Sequence, residues 1–407
     1  MPYIWVILVS LVALLLLFGD TRSRNSLFIT PEKAASIEYN KWPQWTDIEP
    51  ADNRIRILWV LHDYVPFVNA GSEICAHQIN TFLIGKPYKY DIWLACPGYP
   101  KRTFENIRCF DVHDTATLFE VLNSVNVLCS NTCLYRKQLM WICRTMGKPY
   151  VEWIHTDNYV KAVKQWKDPR VDNRHFIVFN SVSLRNSVPE FRDTKDTKDT
   201  KDTNDITEIF FPPVDFRFYA VERKPVYVTL SNVNSNKGGE LLIQLAKALP
   251  EIEFQGILGG YRKQITYSGL PNLRYIQHTT QIKDVYAQTW VLIMPSKEET
   301  WGRTAVEAMS SGIPIIVSPT PGLKECCESA AIYCDRSDLD AWVVTLRKLK
   351  NDQGFYNERS TAALARARAL DPGPDLERLE KWLDEKVIPS KTKGREPSTL
   401  EKNLLFR

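Results

Sequence analysis

The apolar run from Val291 to Met294 has no polar face, stops at Pro295-Ser296, and is followed after a helical stretch by a second β-branched run, Ile315 to Val317. A strand that is apolar on both faces must be covered on both, which places this unit in a parallel sheet between helices, ending at the sheet's carboxyl edge. Between the two runs lie Glu299 and Glu307, eight residues apart, with Thr300, Trp301 and Gly302 between them. Gly302 permits close backbone approach. A helix beginning near Arg303 or Thr304 aims free N–H groups and its positive dipole end at whatever sits above that edge. A diphosphate fits such a place. Glu299 then lies on the loop at the helix mouth, while Glu307, about one turn in, can accept hydrogen bonds from a ribose diol.

The rest of the chain repeats the pattern. Strands are expected at Ile55 to Leu61, Tyr90 to Ala95, Val125 to Cys129, Tyr150 to Ile154, Phe176 to Phe179 and Val226 to Leu230, with helical segments between them. A length of 407 residues exceeds one ordinary core and predicts two domains plus appendages. The formal net charge of +4, with no basic stripe and no interleaved stacking aromatics, argues against a nucleic-acid partner.

Three further segments place reactive side chains at strand ends. Ser231 to Gly239 follows a strand and precedes the amphipathic stretch Glu240 to Leu249, so Lys237 is held at a second carboxyl-edge turn. Asn69 to Glu73 follows the first strand and contains Gly71, with Ser72 as the expected cap of a helix running to Ile84. The strand from Val151 delivers His155 to the same kind of edge, with Asp157 beyond it.

Together these motifs resemble the retaining glycosyltransferases of family four, also called glycosyltransferase group 1, over about Arg54 to Leu370. The signature shared is Pro-Ser, a Glu, a turn with an aromatic and a glycine, a second Glu after seven residues, Ala-Met and Gly-x-Pro. The resemblance implies an α/β chain with the GT-B fold, two Rossmann-like doubly wound domains facing across a cleft. It implies transfer of a sugar from a UDP- or GDP-sugar to a glycan or lipid-linked acceptor with retention of configuration, and no cofactor or metal. Residue by residue, it implies that Lys237 neutralises the diphosphate, helped by Arg303, and that Glu307 holds ribose. Glu299 and the backbone at Trp301 and Gly302 would position the sugar, with Gly71 over the phosphate and His155 beside the transferring sugar from the other domain. Three positions depart from the family. Thr300 replaces the first glycine of the turn, Ala70 a glycine beside Gly71, and Asn232 an arginine of the diphosphate clamp. That last change requires another cation, Arg262 or Arg303, or a slower reaction. A nucleotide-sugar epimerase on the same scaffold, or a catalytically inactive tethered binding protein, are the alternative readings.

The ends and connections complete the expected organisation. Tyr3 to Phe18 is uncharged and apolar, close to bilayer length, and reads as a single-pass anchor over residues 1–20. Arg22 and Arg24 after it place the catalytic part in the cytosol. Residues 21–53, broken by Pro31, Pro43 and Pro50, read as a stalk in which Trp42 and Trp45 lie on the protein or at the membrane interface. The first domain is expected over 54–212, the second over 213–370, a closing helix over 371–390 and a tail over 391–407. An Asp-Thr-Lys repeat from Asp193 to Asp205 cannot pack and reads as a polar insertion. Lys161, Lys164 and Lys167 with Trp166 read first as a solvated helix face. Nine cysteines, with Cys96, Cys109, Cys129 and Cys334 in or beside apolar runs, indicate buried thiols and no disulfide framework. Asp338 and Asp340 have metal-binding spacing, but they open an apolar helix, which capping explains.

Overall fold

The computed structural model describes residues 41–45, 54–86, 88–131, 135–156, 174–191, 206–259 and 262–388. The expected anchor, the Asp-Thr-Lys repeat, the Lys161 to Lys167 segment and the tail after Ile388 lie outside the described residues. Among those described, no helix is long and apolar enough to cross a membrane.

The first sheet contains β1 (Ile55–Val60), β2 (Tyr90–Ala95), β3 (Arg102–Phe104), β4 (Ile107–Phe110), β5 (Val127–Asn131), β6 (Tyr150–Ile154), β7 (His175–Phe179) and β8 (Thr207–Ile209), in spatial order β3-β4-β2-β1-β5-β6-β7-β8. Every pairing is parallel except β3 with β4. The sequence gives that hairpin little signal, because its turn places Glu105 and Asn106 at positive φ with no glycine to mark it. The second sheet contains β9 (Tyr227–Ser231), β10 (Phe254–Ile257), β11 (Leu273–Ile276), β12 (Thr289–Met294), β13 (Ile315–Val317) and β14 (Ile332–Tyr333), in the order β11-β10-β9-β12-β13-β14, all parallel. β12 is buried at five of its six positions, as a strand covered by helices on both sides must be.

In each sheet the strand order reverses direction at its centre, between β1 and β5 in one and between β9 and β12 in the other. Loops leaving neighbouring strands diverge at such a point and leave a crevice at the carboxyl edge. The turns after β9 and β12 are therefore the two that carry Lys237 and Glu299.

Of the two places expected for Trp45, on the protein or at the membrane interface, it takes the first. Its ring is 8% exposed, packs edge-on at 5.1 Å to Trp93, and donates Nε1–H to the carbonyl of Cys109 at 3.0 Å. Trp42 joins it on the first domain at 4.6 Å from Phe104. An indole that can bury its area against aromatic neighbours and still satisfy its N–H gains more there than in water. The closing segment, helix Gly373–Trp382 with a π-helical turn over Leu383–Val387, does more than span the domain boundary. Leu379, Trp382, Leu383 and Val387 complete the first domain's core, with Trp382 at 5.6 Å from both Phe176 and Phe210. Glu380 and Asp384 pair with Lys86 and Lys89 at its rim.

Among the described residues the cysteines are free and buried, and burial pushes the Cys75 thiol up to about 12. Asp338 accepts from the Ala341 N–H at 3.0 Å, so it caps the helix Leu339–Asn351.

Candidate active site between the two domains

The turn after β9 is built by asparagines. Asn234 accepts from the Lys237 N–H at 3.0 Å and donates to Asn232 Oδ1 at 2.8 Å, and Gln264 donates to the same oxygen at 3.1 Å. Asn232 sits at φ +61°, a left-handed conformation that asparagine tolerates better than other side chains. Its side chain is thus part of the scaffold that shapes the turn. Gly238, at φ +95°, carries the chain past Pro295, where an added Cβ would lie 2.5 Å from the ring. The Lys297 N–H bonds to the Asn236 carbonyl at 2.8 Å. Arg336 also donates to that carbonyl, at 2.9 Å. The two edge turns are therefore one rigid unit, and across it Lys237 Nζ pairs with Glu299 Oε2. Both side chains are partly exposed, 22% and 17%. Ser296 adds a hydroxyl to the same carboxylate oxygen at 3.4 Å.

Gly302 stands at φ +113° immediately before the helix Arg303–Met309, and a Cβ there would lie 2.7 Å from Leu323. Only glycine makes that turn without strain. The helix is seven residues long, so its local N–H groups matter more than any long-range dipole. Trp301 turns inward, 3% exposed, stacked on Phe211 at 4.2 Å. Its ring braces the turn, leaving only its backbone to face a ligand.

Arg303, expected to help neutralise the diphosphate, is engaged by protein partners from both domains. Its guanidinium is buried, donating to the Pro213 carbonyl at 2.6 Å, to Tyr219 Oη at 2.9 Å and to Gln78 Oε1 of the first domain at 2.8 Å. Its Nε lies 2.8 Å from Glu307 Oε1. Burial works against its charge, but Glu307 and Tyr219 more than offset that. The remaining Glu307 oxygen accepts from Tyr286 Oη at 2.8 Å. Each carboxylate oxygen has two acceptor sites, so Glu307 keeps capacity for a further donor while holding these partners. Arg262, the other suggested substitute for the missing arginine, is exposed beyond β10 at φ +61°.

The first domain contributes the facing edge. His155 follows β6, is 9% exposed, and burial lowers its imidazole to about 4, so the ring is neutral at pH 7. It can hydrogen-bond a sugar hydroxyl but carries no charge to offer. Gly71 opens the helix Gly71–Ile84, and a Cβ there would meet open space, so nothing in the protein itself requires glycine. Ala70, not Ser72, occupies the N-cap position, and Ser72 instead bonds its hydroxyl to Glu73 at 2.9 Å. Burial raises Glu73 to about 7. Asp157 lies outside the described residues.

Several contacts here have no sequence signal. Thr300 donates its hydroxyl to the His155 carbonyl at 2.8 Å and accepts from Asn180 Nδ2 at 3.0 Å. It is thus an interdomain contact rather than a bare turn residue. Glu325 receives the N–H groups of Val182 and Ser183 at 2.8 and 2.7 Å. Gly322 lets its helix approach so closely that a Cβ would sit 2.3 Å from the Thr300 carbonyl carbon. The hydrogen bonds of Thr300 and Glu325 join residues more than 100 positions apart, and no spacing rule finds them.

Comparison with known proteins agrees with this geometry. Residues 214–366 match the family model of the glycosyl transferases group 1. The chain is 27% identical over 139 residues to the sulfoquinovosyl transferase of Arabidopsis thaliana, covering 32% of this chain and 27% of that protein. It is 30% identical over 70 residues to the O-antigen chain mannosyltransferase RfbU of Salmonella typhimurium, covering 17% of this chain and 20% of that one. The chain thus spans about a quarter of the length of these relatives. Among solved structures, Anabaena HepE in complex with UDP-glucose superposes with a TM-score of 0.64 at 16% identity, covering 81% of this chain and 99% of that one. A glycosyltransferase from Rickettsia africae gives 0.64 at 11% identity, with 83% and 100% covered. The sequence match lies within the second domain, whose residues 214–366 carry the group 1 glycosyl transferase signature, and the likeness to solved structures extends over both sheets, so the chain has the GT-B fold.

Proposed function

We propose that the protein transfers a sugar from a nucleotide diphosphate sugar to an acceptor hydroxyl with retention at the anomeric carbon and without a metal ion. The observation carrying this reading is the rigid pair of turns at the second sheet's switch point, which puts Lys237 and Glu299 together at the mouth of the Gly302 turn. The donor is a UDP- or GDP-sugar, and the complex of HepE with UDP-glucose supports the nucleotide-sugar class.

On donor entry Lys237 exchanges Glu299 for the diphosphate, and the freed carboxylate turns to the sugar's hydroxyls. The C1–oxygen bond to the β-phosphate breaks while the acceptor oxygen bonds C1 on the same face. The acceptor's proton passes to the departing phosphate oxygen, leaving a glycoside and a nucleoside diphosphate. Lys237 and the N–H groups of the Gly302 turn stabilise the charge that develops on that oxygen. With Asn232 committed to the scaffold and Arg303 to Glu307, Lys237 carries most of this burden. Glu307 adds ribose hydroxyls to its free acceptor sites, and neutral His155 bonds the sugar from the first domain. The acceptor is a glycan or lipid-linked sugar, and the apolar run Tyr3 to Phe18 tethers the catalytic part on the cytosolic side.

A thermal-shift panel of UDP, GDP, ADP and their sugars tests the donor assignment. A ligand at about 100 times its Kd stabilises the fold by about 2.7 kcal/mol. No shift with any uracil or guanine diphosphate would refute the reading, and an inverted anomer in the product would refute retention.

A further inference from the structure

Thr300 stands where the family's turn has glycine, and it has acquired partners in the other domain. Its hydroxyl donates to the His155 carbonyl at 2.8 Å and accepts from Asn180 Nδ2 at 3.0 Å. Asn180 is buried at 4% exposure at the end of β7, and Ser181 next to it donates to Asn180 Oδ1 at 3.3 Å. Ser181 also caps the helix Val182–Ser187 by accepting from the Leu184 N–H at 3.1 Å. The first two N–H groups of that helix are taken by Glu325 of the second domain. The loop returns to its start, because Glu325 lies on the helix Pro321–Cys327, whose Gly322 rests against the Thr300 peptide. Two segments of the second domain and two of the first therefore form a closed ring of contacts, and Glu299 is the immediate neighbour of its central residue.

We infer that Thr300 is a positioning residue, fixing the Glu299 carboxylate for the donor sugar only when the domains are closed, with Asn180 and Glu325 as the rest of the latch. A glycine at this position leaves the turn free to hold Glu299 in place with the cleft open. A threonine ties the turn to the first domain through two hydrogen bonds that exist only when the domains are together and are exchanged for water when they part. Site assembly and closure are then one event, and an open enzyme holds nucleotide but presents no ordered carboxylate to the sugar. Water entering an open cleft consequently finds a site that does not hydrolyse the donor.

The catalytic half of this inference rests on the transferase reading, so the test has an arm that needs no substrate. In the full-length protein, Thr300→Val keeps the side chain's shape and removes the hydroxyl, Thr300→Ser keeps the hydroxyl, and Asn180→Ala removes the partner from the opposite side. Amide exchange is followed at Val182 and Ser183, whose N–H groups Glu325 holds, and steady-state transfer is measured with the donor that the thermal-shift panel identifies. Thr300→Val is expected to speed exchange at both amides by about 5-fold or more and to lower kcat by about 10-fold with donor KM within about 2-fold. Thr300→Ser is expected to restore both, and Asn180→Ala to reproduce the valine variant. Unchanged exchange at Val182 and Ser183 in Thr300→Val overturns the latch, whether or not the enzyme transfers sugar. A serine variant as impaired as the valine one, or a loss confined to donor KM, overturns the positioning role. Wild-type protein that turns over no donor while exchange responds as expected refutes the transferase reading and leaves the latch standing.

Discussion

His155→Gln should change how stability depends on pH. The His155 imidazole is lowered from 6.5 to about 4 because burial disfavours its charged form. Below pH 6.5 the unfolded chain binds a proton at this position that the folded chain does not, so acid drives unfolding. The stabilisation is complete above the unfolded pKa and is lost as pH falls toward the folded one. The full shift corresponds to about 3 kcal/mol, of which about 2 kcal/mol should be lost between about pH 7 and pH 5. Glutamine is of similar length and does not titrate, so the stability difference between wild type and His155→Gln isolates this term. Glu73, raised to about 7 by burial, acts with the opposite sign. Its contribution is complete below the ordinary carboxylate range and lost as pH rises through 7, and it cancels in the comparison because both proteins carry it. Urea unfolding of the two proteins at half-unit intervals from about pH 7.5 to pH 5 gives the difference directly. A difference that stays constant within about 0.5 kcal/mol across that range would mean the imidazole is hydrated or ion-paired, and the claim that it faces the sugar uncharged would fall with it.

Other consequences can be checked in parallel. Arg303→Met leaves Glu307 buried beside Tyr286 without its cation and should cost about 3 to 5 kcal/mol in urea unfolding, with Arg303→Met/Glu307→Leu recovering part of it. Lys237→Ala should lower transfer by about 10²-fold while the melting temperature moves little, because its ion pair with Glu299 is partly exposed. Near-normal turnover would assign the phosphate clamp to another cation. A chain beginning at Asp47 loses Trp45 from the first domain's core and should be less stable by about 3 kcal/mol or more than one beginning at Lys41, measured as denaturation midpoints. Equal midpoints would show the indole to be dispensable.

The parts of this molecule that were legible in the sequence are those in which local chemistry and fold coincide. β2 and β6 run over the expected residues because unbroken apolar runs ending at turn residues have one reading in a parallel sheet. Lys237, Glu299 and Gly302 share one strand-turn unit each with the elements that position them, and their neighbourhood follows from topology. The surroundings of Arg303 were illegible for the opposite reason. A cation at a helix start suggests an anion above it, yet the partners that decide its direction are Gln78, Pro213, Tyr219 and Glu307, and three of those four are remote in sequence. Asn232 looked like a lost function until Asn234 and Gln264 showed what it holds. Strands β3, β8 and β14, two or three residues long, carry too few side chains for periodicity to register.

The position of the closing helix also governs the order in which the chain can fold as it leaves the ribosome. Phe176 and Phe210 of the first domain are covered by Trp382, a residue made only after the entire second domain. At typical synthesis rates the roughly 170 residues between Phe210 and Trp382 take about 10 to 30 s, during which the earlier domain has its sheet but not its last hydrophobic cover. The later domain, continuous in sequence, has no such wait. A nascent chain of this protein therefore presents an unfinished apolar surface beside a finished domain, and one that stalls before Gly373 keeps it, making such a chain a natural client for chaperones.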